Sequence, residues 1–499
     1  MPKRIINTGI LPASLDNPFI RKLPDEIEDE ETFADRFRFR PEINEARRAA
    51  PNRQRALCLI DPLHLRVSLP RHWDLDCELS KLIRWSYTNR DPRDPRYWIE
   101  FKARMNSLGN DTKGIVTLPV EKHVGWGAPA VSAAVQTGLV IGGTGNGKSI
   151  SVDRDLQQYP QVINHGDGLN IRQVTYLKIE VTKGPKDFSI TFFQALDQIL
   201  GTSYYIRFRR LTEYEMLMQV VNLAFVHAIG LIAVEEFQNF DGCSIPKFLL
   251  RLNNVSKSSV LGIGTYKVEK FFDEAHELKL YRRYRQARIP DWTPLDQEKE
   301  WPIYFDELWN YQVTRKPTPP LKELSDRLFY ECQGIPDFAT RIYIMTQDWL
   351  IARNHSRREA ELITPGLISQ IAEAHLKPVR ELLNAYRRRD WNLIQEFDDI
   401  RLPLVEELLA KTYSPVELET GASQPLSCAI DSDAESALPP LAATPVKARG
   451  TPKCKHDGPR VPCKLVDIVG DENRNPEAAY QALKMAGFIK NPIEFWGTS

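Results

Sequence analysis

The stretch Gly138-Leu139-Val140-Ile141-Gly142-Gly143-Thr144-Gly145-Asn146-Gly147-Lys148-Ser149 decides how the chain is read. From Gly142 to Ser149 it satisfies the P-loop pattern G-x-x-x-x-G-K-[ST] in full. The apolar run before it predicts a buried strand, and the residues after it can start a helix. A strand aims the loop, and its glycines let backbone N–H groups curl around phosphate oxygens. The first helical turn adds its positive dipole end. Lys148 is expected to neutralise the β- and γ-phosphates, and the Ser149 hydroxyl to ligate Mg²⁺. Gly142, Gly143, Thr144, Gly145, Asn146, Gly147, Lys148 and Ser149 are thus the expected nucleotide-binding residues, with ATP and Mg²⁺ as the ligands.

Downstream, Leu231-Ile232-Ala233-Val234 runs into Glu235-Glu236. Four apolar residues followed by two acids form a Walker B arrangement. The first acid, Glu235, is expected to hold Mg²⁺ through water, and the second, Glu236, to polarise the attacking water. Asp is usual where Glu235 stands. The longer side chain moves the carboxylate by about 1.5 Å, roughly one C–C bond. Mg²⁺ keeps several waters, so outer-shell contact absorbs that change, at some cost in hydrolysis rate. Thr265 closes the strand Val260-Leu261-Gly262-Ile263-Gly264 and is placed to sit beside the γ-phosphate, the sensor-1 position of AAA+ ATPases. Tyr281-Arg282-Arg283-Tyr284-Arg285 follows. Arg283 first, and Arg282 second, are expected to act in trans on a neighbouring subunit's nucleotide. Such an arginine makes hydrolysis depend on assembly. Arg341, after Gly334-Ile335-Pro336-Asp337, is a further candidate for γ-phosphate contact from a helical lid.

Strand candidates Gly138–Ile141, Thr175–Val181, Leu231–Val234 and Val260–Gly264 alternate with helical segments, which predicts a parallel sheet with helices on both sides. Between the second and third, Tyr214, Leu217, Val220, Val221, Ala224, Phe225 and Ala228 fall on one helix face. The fold class expected is α/β, an AAA+ P-loop NTPase with a parallel sheet core, helical lid, N-terminal extension and flexible C-terminal tail.

The chain has 499 residues, too many for one ordinary core. Lys+Arg and Asp+Glu both number 66, so any nucleic-acid surface must come from local clustering of charge. No apolar run approaches the roughly 20 residues that span a bilayer, so no membrane partner is expected. Met1-Pro2-Lys3-Arg4 has no apolar stretch behind its charges, and no signal peptide is expected. Seven scattered cysteines, odd in number, predict reduced thiols and a cytoplasmic location. Cys454, His456 and Cys463 lack a nearby fourth zinc ligand.

Five regions are read along the chain. Residues 1–110 form a separate N-terminal region, acidic at 25–31 and then basic, with Arg36, Arg38, Arg40, Arg47, Arg48, Arg53 and Arg55. Within it, Trp73 to Trp85 reads as an amphipathic helix through Leu75, Leu79, Leu82 and Ile83. Residues 111–290 are the nucleotide-binding core and 291–412 the helical lid and extension. Residues 413–463, rich in Pro, Ser and Ala, have a linker composition. Residues 464–499 regain apolar residues and read as a tethered docking tail.

Several segments in order carry a family resemblance: the P-loop, Val174-Thr175-Tyr176-Leu177-Lys178-Ile179, Leu200-Gly201-Thr202-Ser203-Tyr204-Tyr205, Gly230 through Glu236-Phe237-Gln238-Asn239, Gly262-Ile263-Gly264-Thr265-Tyr266-Lys267, Arg282-Arg283, and Gln333 to Ala339. From about Leu63 to about Ile368 the chain resembles TnsC, the AAA+ ATPase regulator of bacterial Tn-seven-like transposons, and more distantly TniB. The departure is Glu235. The resemblance implies an ATP-dependent regulator of DNA transposition that oligomerises as a ring or filament on double-stranded target DNA. It implies two kinds of partner, a target selector (TnsD/TniQ-like) and transposase subunits (TnsA/TnsB-like). Residues 1–110 are expected to dock the selector, with Trp73, Trp85 and Trp98 among the contacts, and the tail to dock the transposase. Lys183, Thr202 and Arg207 are expected to face the DNA; Lys178, Lys186, Arg209 and Arg210 are further loop candidates. Such phosphate contacts give affinity without base specificity. Two alternatives stand beside this reading: a nucleotide-gated DNA scaffold with little turnover, and another DNA-associated AAA+ ATPase such as a replication loader.

Overall fold

Each of the four apolar runs is a strand. In the computed structural model, which describes residues 16–109, 137–166, 171–180, 184–240, 244–274, 277–353, 361–397, 402–405 and 408–409, β1 is Thr137–Ile141. An antiparallel pair follows, β2 (Val162–His165) and β3 (Ile171–Val174). Then come β4 (Tyr176–Glu180), β5 (Leu231–Glu235) and β6 (Ser259–Gly264). The main sheet has the order β1-β6-β5-β4 and is parallel throughout, so the fold is α/β. Ile141 is in register with Gly264, and Glu180 with Glu235, so all four carboxyl ends meet along one edge. That edge is where ligands of open α/β sheets bind.

Strands covered on both faces are apolar on both faces. Leu139, Ile141, Leu177, Ile179, Ile232, Val234 and Val260 pack into one buried cluster. Val140, Leu231, Ala233, Leu261 and Ile263 pack into another, on the opposite face. The first face is covered by the helices Pro185–Leu200 and Glu213–Val226. Pro185–Leu200 went unread in the sequence; Phe188, Phe192, Phe193 and Leu196 bury it, and it ends at Gly201 in the left-handed region (φ 64°). Glu213–Val226 starts in a capping box, with Thr212 Oγ1 accepting from Glu215 N and Glu215 Oε2 accepting from Thr212 N. Tyr214 does not join its buried face. It is exposed at the first turn, while Met216 and Leu223 are fully buried.

The second face is covered by the P-loop helix Lys148–Leu156 and by Pro70–Trp85. Leu75, Leu79, Leu82 and Ile83 are fully buried against the sheet, and Ser259 Oγ donates to Leu82 O at 2.6 Å. Residues 16–109 are therefore not set apart from the sheet; they supply one of its layers. Arg90, fully buried, donates to Ile229 O at 2.8 Å. Arg104 lies over the Phe225 ring at 4.6 Å.

A third core is helical. Trp301–Trp309, Lys322–Cys332, Pro336–Arg353 and Pro365–His375 pack together with Leu59, Leu65, Val67 and Leu69. The basic stretch expected to dock a selector is largely engaged by partners within the molecule. Arg55 and Glu361 form a buried ion pair, with Nη2–Oε1 2.6 Å. Arg40 pairs with Glu307, Arg47 with Asp61, and Arg48 donates to Gln312 O. Arg36, Arg40 and Arg53 stay exposed. Among the described residues no helix is long and apolar enough to cross a membrane. The linker and tail expected at 413–499, Cys454, His456 and Cys463 among them, lie outside the described residues.

Candidate nucleotide site

The loop after β1 is shaped by what surrounds it. Trp292 N donates to Ile141 O at 2.6 Å, and Gly142 forms a parallel bridge with Trp292. A Cβ on Gly142 would sit 2.1 Å from the Trp292 carbonyl oxygen, so only glycine fits there. Gly145 and Gly147 adopt φ of 77° and 82°, the left-handed region that glycine enters without a Cβ clash. Gly147 then caps the helix Lys148–Leu156, whose first N–H groups face the loop. Lys148 Nζ donates to Gly142 O at 3.0 Å and Gly143 O at 2.9 Å, so the ammonium is held over the loop. Asn146 Nδ2 donates to Trp292 O at 3.0 Å. Asp337 N donates to Gly145 O at 3.2 Å, which seats the lid helix Pro336–Arg353 on the loop's tip.

Beside the loop lies a cavity of about 310 Å³. Gly145 to Ser151 form its polar floor, and Leu63, Leu65, Val67, Leu69 and Leu295 its apolar wall. Arg66, Arg71 and Tyr304 stand at its edge. A polar floor of loop and helix N-terminal residues joined to an apolar wall has the polarity that suits a nucleotide, phosphates towards the loop and base towards the wall. Arg71 is held by Glu300 and by Thr293 O at 2.6 Å. His72, also in the wall, stacks on Phe37 with centroids 4.3 Å apart, and its Nδ1 accepts from Leu69 N. Burial, and then the neighbouring Arg71, push its imidazole down to about 3, so it is neutral near pH 7.

Glu235 ends β5 beside Lys178 of β4, with Nζ–Oε1 2.9 Å. Lys178 also holds Asp153 of the P-loop helix at 2.6 Å. Burial lowers the Lys178 pKa, but its bonds to Asp153 and Glu235 outweigh burial and raise it overall. Lys178 is therefore a strand residue engaged with the Walker B acid, and the expectation of a loop cation for DNA is corrected. Glu236 follows with φ 55°, ψ 41°, unusual for a residue with a side chain. Its Oε2 accepts from Gln238 Nε2 at 2.7 Å, and Gln238 Oε1 accepts from Thr265 N at 3.1 Å. Gln238 so ties Glu236 to the end of β6. The Thr265 hydroxyl is buried with no hydrogen-bond partner. β6 lies between β1 and β5, so Thr265 stands between the P-loop and the acid pair.

Ser149 and Glu235 offer hydroxyl and carboxylate oxygens, the hard donors that suit Mg²⁺. Among the described residues no group of three or more His, Cys, Asp or Glu is arranged to hold a metal. The donor set fits a cation shared with phosphates and water.

Arg282 and Arg283 are exposed on the short helix Leu278–Tyr284, away from charge partners among the described residues, whereas Arg285 pairs with Asp291 at 2.7 Å. Arg341 is buried and donates to Pro403 O at 2.7 Å; it is not part of the cavity lining, to which its neighbours Asp337 and Thr340 belong. Thr202 Oγ1 donates to Asp197 Oδ1 at 2.6 Å. Arg207, Arg209, Arg210 and Lys186 are exposed; Arg207 lies over Phe208 and Arg209 over Tyr205. Lys183 lies outside the described residues. The roles of Lys178, Gln238 and Trp292 went unread, because each depends on strands brought together from distant sequence. Compared with known protein families the chain matches none, and it matches no curated protein in sequence.

Proposed function

We propose that the chain is an AAA+ ATPase that assembles on duplex DNA and regulates transposition as TnsC-like proteins do, linking a target selector to a transposase. The observation that carries the nucleotide part is the meeting of the P-loop, Glu235-Glu236 and Thr265 at one sheet edge, with Gln238 tying the acid to the sensor strand. Lys148 neutralises the phosphates. Ser149 and Glu235 would hold Mg²⁺, which would supply Lewis-acid charge when bound. Glu236 orients water for attack, and Thr265 senses the terminal phosphate. Arg283, and secondarily Arg282, extends from one subunit towards the nucleotide of the next. The transposition part rests on the ordered segments of the resemblance and on the exposed cations Arg207, Arg209 and Arg210.

The test is electron microscopy of the chain with duplex DNA, comparing a slowly hydrolysed ATP analogue with ADP. Rings or filaments on DNA with the analogue alone support the reading. Monomers in both conditions, with nucleotide binding intact, overturn it. A nucleotide-gated scaffold with little turnover is the second reading. The Lys178–Glu235 contact favours it, because part of the Walker B charge is already neutralised. Measured phosphate release separates the two. Glu236→Gln is expected to cut release about 100-fold under the first reading, in keeping with loss of a positioned base, and to change nothing under the second.

A further inference from the structure

The helix Arg380–Arg388 places Tyr386 against Gly143 of the P-loop, two residues from the lid contact at Gly145, and the helix Trp391–Glu396 follows it. Ala385 and Ile394 are buried in the same cluster as Tyr266, Val268 and Phe272. Trp391 meets Tyr266 edge-on, centroids 6.4 Å apart. Arg387 reaches back to Glu331 of the lid at 3.3 Å. This helix pair therefore bridges the lid and the end of β6. From it Tyr386 enters the P-loop. A Cβ on Gly143 would lie 2.4 Å from the Tyr386 hydroxyl oxygen and 3.6 Å from the Tyr266 ring. The hydroxyl is buried and has no hydrogen-bond partner.

Gly143 is also the residue whose carbonyl takes the Lys148 ammonium, at 2.9 Å. The lysine marks where a terminal phosphate is neutralised, and Tyr386 lies against that same residue. An unpaired buried hydroxyl is costly, and a site that needs it explains why it persists. Burial, and then the neighbouring Tyr266, raise the phenol's pKa, so the oxygen keeps its proton and acts as a donor.

We propose that the Tyr386 hydroxyl donates a hydrogen bond to the terminal phosphate of bound ATP, so that the helix pair 380–396 reads the nucleotide state. The proposal rests on the ATPase reading and adds a contact to it. The terminal phosphate gives Tyr386 its missing partner and pulls the helix pair onto the loop. ADP leaves the hydroxyl unpaired. Neither Arg341 nor Tyr386 lines the cavity; Arg341 donates to Pro403 O, whereas Tyr386 lies against Gly143 of the loop, and that contact gives Tyr386 the role sought in the lid.

Tyr386→Phe removes one oxygen and tests this by calorimetric titration of the full chain with Mg²⁺ and either a non-hydrolysable ATP analogue or ADP. A hydrogen bond to a charged phosphate is strong. The analogue should bind about tenfold more weakly, and ADP within about twofold of wild type. Without nucleotide the variant should melt no lower than wild type, because an unpaired polar atom has been removed. Hydrogen exchange in 380–396 should be slower with the analogue than with ADP in wild type, and equal in the variant. Unchanged analogue affinity, equal weakening of both nucleotides, or tighter analogue binding, as expected of a blocking hydroxyl, would each overturn the proposal. A wild-type chain that bound neither nucleotide would instead remove the ATPase reading, and this contact with it.

Discussion

Glu236 holds a left-handed backbone, which costs a residue with a Cβ on the order of 1–2 kcal/mol. Strain of this kind collects where geometry is needed for chemistry. Here it turns the chain sharply at the end of β5 and brings Gln238 back to the acid and to Thr265. Two buried histidines set a second feature at this scale. His72 is pushed to about 3 and His227, whose Nε2 meets the Tyr204 hydroxyl, to about 4, both mainly by burial. The unfolded chain binds these protons at about pH 6.5, and the folded chain does not. Stability that His72 contributes is thus present above pH 6.5 and is lost as pH falls towards 3. The loss approaches about 1.4 kcal/mol per pH unit. Denaturant melts of wild type and His72→Gln at pH 7 and pH 5 measure it. The wild type should lose more stability than the variant between the two. Equal slopes would mean that His72 titrates alike in both states.

At the scale of elements, β1 depends on a neighbour distant in sequence. Its last carbonyl and the first P-loop residue pair with Trp292 of the segment entering the lid. Gly142→Ala would force a Cβ into the Trp292 carbonyl, and the backbone would have to move by more than an ångström to clear it. The expected outcome is loss of nucleotide binding by at least about tenfold, since phosphate contacts are made by backbone groups held in place. Equilibrium dialysis with labelled ATP checks this. Binding within twofold of wild type would show that the loop tolerates the shift. Gly138→Ala makes the comparison useful. A Cβ there would meet the tips of Ile289 and Leu261 at 3.0 Å, which can give way, and the Ala287 Cβ at 3.3 Å, all side-chain atoms and none a backbone carbonyl.

Over the whole molecule, residues 16–109 serve as a layer of the sheet and as a clamp on the lid. The Arg55–Glu361 pair joins these parts across 306 residues of sequence and is almost wholly buried. Removing one partner leaves a buried charge without compensation. Glu361→Gln is expected to lower unfolding free energy by about 3–5 kcal/mol. The double change Arg55→Met with Glu361→Leu should cost less than the single one. Denaturant unfolding of the wild type and the two variants decides, and a double variant less stable than Glu361→Gln would overturn the expectation. Assembly is tested at this scale too. Arg283→Ala is expected to lower ATP hydrolysis by about 10³-fold, as for loss of a trans arginine. Mixing it with Glu236→Gln subunits should restore part of the activity, because each supplies what the other lacks. No recovery would place Arg283 outside the active interface.

What the sequence by itself determined was local. The P-loop pattern, the four apolar runs and the helix through Leu75, Leu79, Leu82 and Ile83 were legible because strand and helix periods leave their mark within a few residues. The order Glu235-Glu236 after a strand was legible for the same reason. Tertiary structure alone decided which charges meet. Lys178 read as a loose cation until β4 was laid beside β5, and the arginines of 40–55 read as a docking surface until the lid came to rest on them. It alone decided that Arg341 turns to Pro403 and that Tyr386 enters the P-loop. The reason is that an ion pair or a close approach depends on distance in space, and residues hundreds of positions apart carry no periodicity that records it.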